Sequence, residues 1–124
     1  MIVEDNERNL KLLRDVLGAY GYRTIEARSG EEAMAVVRSE RPELVLMDIQ
    51  LPGMDGIETL RELRRSGELA AAPIVAVTAF VMKEDRERFL SAGFDGYLEK
   101  PVDIRALRSL VDSYLGPGGG GAES

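Results

Sequence analysis

Leu44-Val45-Leu46-Met47-Asp48-Ile49-Gln50-Leu51-Pro52-Gly53-Met54-Asp55-Gly56 decides the fold. Its first four residues are apolar without alternation, which suits a parallel strand covered on both faces. An aspartate closes the run, and Ile57, Leu60 and Leu63 then fall at helical spacing. The same grammar recurs along the chain. Candidate strands are Met1–Val3, Tyr22–Ala27, Leu44–Met47, Ile74–Val77 and Gly96–Leu98, each followed by a helical pattern. Leu10, Leu13, Leu17 and Tyr20 stripe the first helix, with Gly21 as a stop signal. Ser29 and Glu32 open the second as a capping-box pattern, and it is expected to end before Arg41-Pro42. Ile104, Leu107, Val111 and Tyr114 mark the last. The helix after Ile74–Val77 is solidly charged over Lys83–Arg88, with Phe89, Leu90 and Ala92 to anchor its end. Repeated βα units imply an open parallel sheet with helices on both faces, in which ligands bind beyond the carboxyl ends of the strands.

The 124 residues suit one domain, and 44% apolar with 31% charged residues is ordinary for a globular chain. A net charge of −6 argues against non-specific nucleic-acid binding, which requires a basic face. There is no cysteine and no histidine, so thiol chemistry is absent and this chain cannot itself donate a phosphohistidine. No stretch approaches the length of a membrane span and Met1-Ile2-Val3-Glu4-Asp5 is no signal peptide, so a cytoplasmic protein away from membranes is expected. Residues 116–124, with Gly118–Gly121, read as a flexible tail after a domain over 1–115.

Glu4 and Asp5 follow the first apolar run, Asp48 closes another, Thr78 follows Val77, and Lys100 follows Leu98-Glu99. Neighbouring parallel strands would bring all five to one edge. Three clustered carboxylates raise one another's pKa unless a cation is present, and a hard divalent cation with oxygen ligands is the natural one. With a lysine beside it, such a site suits phosphate chemistry on a carboxylate.

Four segments in order carry a family resemblance: Ile2-Val3-Glu4-Asp5-Asn6, Met47 through Gly56, Val77-Thr78-Ala79 and Tyr97-Leu98-Glu99-Lys100-Pro101. From Met1 to about Leu115 the chain resembles the receiver domain of two-component response regulators. Met47-Asp48-Ile49-Gln50-Leu51-Pro52 with Thr78-Ala79-Phe80 looks most like DivK-type stand-alone receivers or the receivers of hybrid kinases. The resemblance implies an α/β, flavodoxin-like (βα)5 three-layer sandwich with a parallel sheet of order 2-1-3-4-5.

The same resemblance implies roles. Asp48 would be the phosphoacceptor, attacking a phosphohistidine on a sensor histidine kinase or histidine phosphotransfer protein. Asp5 and Asp48 would bind Mg²⁺ directly with the Gln50 carbonyl, and Glu4 through a water. Thr78 would donate its hydroxyl to the phosphoryl group, and Lys100 would pair with Asp48 and then with the phosphoryl group. Lys100-Pro101 is a candidate cis peptide. Tyr97 would switch between exposed and buried positions, remodelling the face of helix 4, strand 5 and helix 5 for a downstream protein partner. Phe80, at the rim, would shield the acyl phosphate from water. The chain would be a monomer or weak dimer, and no enzyme beyond its own phosphorylation and slow dephosphorylation.

Plainer readings exist for each group: a cap or turn for Asp48, an N-cap of the first helix for Asp5, and a half-buried strand tyrosine for Tyr97. Only Met1, Ile2 and Val3 precede Glu4, so the central strand is expected to be short or truncated. A phosphatase of similar fold would want a second acid where Gln50 stands, and a nucleotide-binding module would want a Gly-rich loop after the first strand. A receiver excised from a larger regulator or hybrid kinase, or one that docks without being phosphorylated, stays open.

Overall fold

The computed structural model describes residues 1–67, 71–79 and 82–116. Ten elements alternate: β1 (Ile2–Val3), α1 (Glu7–Ala19), β2 (Glu26–Ala27), α2 (Gly30–Val36), β3 (Val45–Asp48), α3 (Gly56–Ser66), β4 (Ile74–Thr78), α4 (Lys83–Ala92), β5 (Gly96–Glu99) and α5 (Ile104–Leu115). The strands form one parallel sheet in the order β2-β1-β3-β4-β5. This is the expected doubly wound, flavodoxin-like architecture.

Side-chain alternation divides the core between the two faces of the sheet. On one face Val3, Val45, Met47, Ile74 and Ala76 pack with Ala33, Leu60, Leu63 and Phe89 of α2, α3 and α4. On the other, Ile2, Leu46, Val75, Val77 and Leu98 pack with Leu10, Leu13, Leu17, Leu107 and Val111 of α1 and α5. That is why the β3 and β4 runs show no polar alternation: both of their faces are dry.

Several boundaries differ from the sequence reading. β2 pairs only at Glu26–Ala27, because a strand extends no further than its partner and β1 offers two residues. Tyr22 is held instead by α1 and α5, its N–H donating to the Leu17 carbonyl and its hydroxyl to Asp112 and the Gly116 carbonyl. β3, β4 and β5 each run one residue further than expected and so include Asp48, Thr78 and Glu99. α2 stops at Val36, well short of Arg41-Pro42. In α4 only Phe89 is buried, while Leu90 is 50% exposed. The tail residues 117–124 and Phe80 lie outside the described residues.

The complete capping box is on α3, not α2. Ser29 accepts from the Glu32 N–H, but Glu32 turns to the Arg28 N–H. On α3, Asp55 accepts from the Glu58 N–H at 2.9 Å and Glu58 accepts from the Asp55 N–H at 3.3 Å. Asp55→Ala is expected to lower stability by about 1 kcal/mol, read from the midpoint of urea unfolding. An unchanged midpoint would show that the tertiary contacts of α3 hold its first turn without the cap.

Candidate functional site

The parallel register brings the carboxyl ends of β1, β3 and β4 and the residue after β5 to one edge. Glu4 is 1% exposed, Asp48 4% and Thr78 2%, whereas Asp5 is exposed. One carboxylate oxygen from each of Glu4, Asp5 and Asp48 lies within 4.8 Å of the others. Lys100 reaches in from beyond β5, its Nζ 3.1 Å from Asp48 Oδ2 and 3.3 Å from Glu4 Oε1. The Lys100 N–H donates to the Thr78 carbonyl at 2.8 Å, continuing the β4–β5 ladder past the last strand residue. The Lys100–Pro101 bond is cis.

Backbone donors fix the carboxylates from below. The Gln50 N–H donates to Asp48 Oδ1 at 3.0 Å, and the Asn6 N–H to Glu4 Oε2 at 3.2 Å. Capping of α1 falls to Asn6, whose Oδ1 accepts from the Asn9 N–H, and not to Asp5. Sequence reasoning passed over Asn6, although an Asx before a helical stripe is the ordinary cap signal. It also passed over Arg86, whose guanidinium stands 5.5 Å from the centre of the half-buried Tyr97 ring.

The charges do not balance. Three carboxylates face one ammonium, and Glu4 Oε1 is buried with no hydrogen bond; its approach to Lys100 is close enough for an ion pair but misaligned. Burial, then the neighbouring Asp48 carboxylate, which favours a proton shared between the two groups and repels a second charge, push the Glu4 carboxyl from 4.5 up to about 7. The Asn6 N–H and Lys100 pull the other way without prevailing. A set of oxygen donors, two of its three carboxylates buried and one exposed, with surplus negative charge fits a hard divalent cation.

This has a pH signature. Between about 4.5 and about 7 the folded chain keeps a Glu4 proton that the unfolded chain has released, so the Glu4 contribution to stability falls as pH rises through that window. Glu7 and Asp15, whose surface pairs with Arg28 and Lys11 lower their carboxyl pKa values, act in the opposite sense at lower pH, and the Met1 ammonium, pushed by burial from 8.0 down to about 5, acts in the opposite sense across the same window. The decline should appear as a difference in thermal unfolding in chelator between the parent and Glu4→Gln from pH 5 to 8, in which the Met1 contribution cancels, and added Mg²⁺ should flatten that difference by displacing the proton. A melting temperature of the parent that climbs relative to Glu4→Gln from pH 5 to 8 without metal would contradict the carboxylate repulsion.

A family model for the response regulator receiver domain matches residues 1–112. The chain belongs to that family. The polar-differentiation response regulator DivK of Brucella anthropi is 48% identical over 116 residues, covering 94% of each chain, and the DivK of Brucella melitensis matches equally well. The receiver domain of a Pseudomonas aeruginosa sensor histidine kinase, described with a magnesium ion in its active-site cleft, aligns with a TM-score of 0.83. It is 34% identical and covers 91% of this chain and 93% of that one. The chemotaxis protein CheY4 of Vibrio cholerae shares the fold, with a TM-score of 0.86 at 24% identity and coverage of 92% and 95%. Among the described residues of this receiver, no helix is long and apolar enough to cross a membrane.

Proposed function

We propose that this receiver, its domain spanning residues 1–115, takes a phosphoryl group onto Asp48 from a phosphohistidine of a sensor histidine kinase or histidine phosphotransfer protein. The observation that carries the reading is the Asp48 carboxylate at the end of β3, held between the Gln50 N–H and Lys100 and crowded by two further carboxylates. An Asp48 oxygen bonds to phosphorus as the P–N bond breaks, and the electron pair of that bond returns to the partner's imidazole. This chain has no histidine, so the donor comes from a partner.

Glu4, Asp5, Asp48 and the Gln50 carbonyl would hold Mg²⁺, which when bound offsets charge on the transferring group. Lys100 neutralises Asp48 before transfer and is placed to follow the new negative charge. Thr78, ending the adjacent strand, is the hydroxyl that would turn toward the phosphoryl oxygen. Tyr97, on the strand beside it, would respond by moving inward against the Arg86 contact. Of five exposed large apolar side chains among the described residues, Met82, Leu90, Ile104 and Tyr114 lie on or beside α4 and α5. That apolar exposure supports α4, β5 and α5 as the output face for a downstream protein. A switch from about 1:99 to 99:1 requires roughly 5.5 kcal/mol, within reach of several charge-assisted hydrogen bonds to one phosphoryl group.

Intact mass after incubation with Mg²⁺ and a small acyl phosphate tests this directly. One phosphoryl increment is expected, with amide shifts moving across residues 82–115. No increment on a folded, Mg²⁺-binding chain would leave a receiver that works by docking alone.

A further inference from the structure

Gly56 is the first residue of α3, and its N–H donates to the Ile49 carbonyl at 3.0 Å. A β-carbon placed on it would stand 2.6 Å from the Asp48 carbonyl oxygen and 2.8 Å from Ile49 Cα. Both are backbone atoms, so no side-chain rotation relieves the overlap. Ordinary carbon–oxygen contacts begin near 3.3 Å, so something must move by roughly 0.7 Å.

The helix is poorly placed to give way. Leu60 and Leu63 are fully buried one and two turns further along α3. Thr59 Oγ1 donates to the Asp55 carbonyl at 2.7 Å. α2 closes the other side: a β-carbon on Gly30 would lie 2.1 Å from Thr59 Oγ1 and 3.2 Å from the Met54 carbonyl oxygen. The other side of the contact is the end of β3 that carries Asp48, followed directly by the Gln50 N–H that holds Asp48 Oδ1.

We propose that Gly56 is a positioning residue: its missing side chain lets the first turn of α3 seat directly on the Asp48–Ile49 backbone. That contact sets where the Asp48 carboxylate stands relative to Lys100, Glu4 and Asp5. The consequence for rate rests on the functional reading above. The consequence for metal affinity does not, because it follows from the spacing of the carboxylates alone.

The test compares the parent with Gly56→Ala and with Leu63→Ala, which opens a cavity on the same helix away from the site. Initial rates of phosphoryl incorporation are measured against acetyl phosphate concentration at saturating Mg²⁺, below each melting transition. Mg²⁺ affinity is measured separately by calorimetry. For Gly56→Ala the maximal rate is expected to fall roughly 10- to 100-fold, with little change in half-saturating donor and with weaker Mg²⁺ binding. Leu63→Ala should lower the melting temperature and leave both quantities near the parent's. A Gly56→Ala rate close to the parent's, or a loss that Leu63→Ala reproduces, would overturn the proposal.

If the parent takes up no phosphoryl group, the functional reading has failed and the Mg²⁺ titration decides alone. Weaker binding by Gly56→Ala then supports the positioning role, and equal binding or none by either chain overturns it. If Gly56→Ala does not fold, Gly30→Ala replaces it, since it pushes on the same helix start through Thr59. Recovery of rate in Gly30→Ala/Thr59→Ala would support the proposal, and no recovery would overturn it.

Discussion

Asp48→Asn is expected to take up no phosphoryl group from a small acyl phosphate and, in metal-free buffer at pH 8, to unfold at a higher temperature than the parent. The first effect is chemical. An amide oxygen is no nucleophile toward phosphorus, and Asp5, though nearby, is exposed and lacks the Lys100 pair that Asp48 has. The second effect is electrostatic. At pH 8 the parent must ionise Glu4 beside a second buried carboxylate, against a pKa of about 7 where 4.5 is usual.

A shift of that size corresponds to roughly 3 kcal/mol in all, and burial alone accounts for its largest part. Removing the Asp48 charge should therefore recover only about 1 kcal/mol. The substituted amide can still accept the Gln50 N–H through its oxygen, and Lys100 keeps Glu4 as a partner. Intact mass and thermal unfolding read the two effects separately. A phosphoryl increment on Asp48→Asn would move the acceptor elsewhere. A lower melting temperature would mean that the Lys100 bond outweighs the repulsion.

The site was legible in the sequence because it hangs on strand ends, and strand ends are where apolar runs stop. Asp48 and Thr78 close two such runs, and the parallel register does the rest. β2 was not legible in the same way. Residues 22–27 have strand composition, but how much of a strand pairs depends on the length of a neighbour distant in sequence, here the two residues of β1. Caps failed for a related reason. Ser29/Glu32 and Asp55/Glu58 have the same spacing, and only the loop geometry before each helix decides whether the glutamate reaches back to the cap residue or past it. Leu90 was assigned to the core by residue type, yet in α4 only Phe89 faces the sheet. Gly56 stood in the Met47–Gly56 motif without a role of its own: its importance is a distance to another residue's carbonyl, which spacing along the chain does not encode.

Lys100→Met should destabilise the metal-free protein, and the loss should depend on pH. Methionine keeps much of the aliphatic stem but leaves Glu4 and Asp48, both almost fully buried, with no cation. Leaving a buried charge unpaired costs about 3 kcal/mol or more when the group must stay ionised. Glu4 has an alternative, which is to hold a proton. Its folded pKa lies above the unfolded value, so the protonated form is favoured on folding and the Glu4 contribution to stability declines as pH rises toward about 7. Lys100 is one of the groups restraining that rise, so removing it lifts the Glu4 pKa further and extends the declining window to higher pH. At pH 5.5 Glu4 is already protonated in both proteins and the loss should be about 1 kcal/mol, mostly the broken Asp48 pair. At pH 8 it should approach 3 kcal/mol, because the parent has ionised Glu4 with the help of Lys100 and the variant must manage without it. Urea unfolding in chelator at the two pH values measures the difference. An equal loss at both, or a larger one at pH 5.5, would show that Lys100 stabilises the fold through its packing and not through the carboxylates it faces.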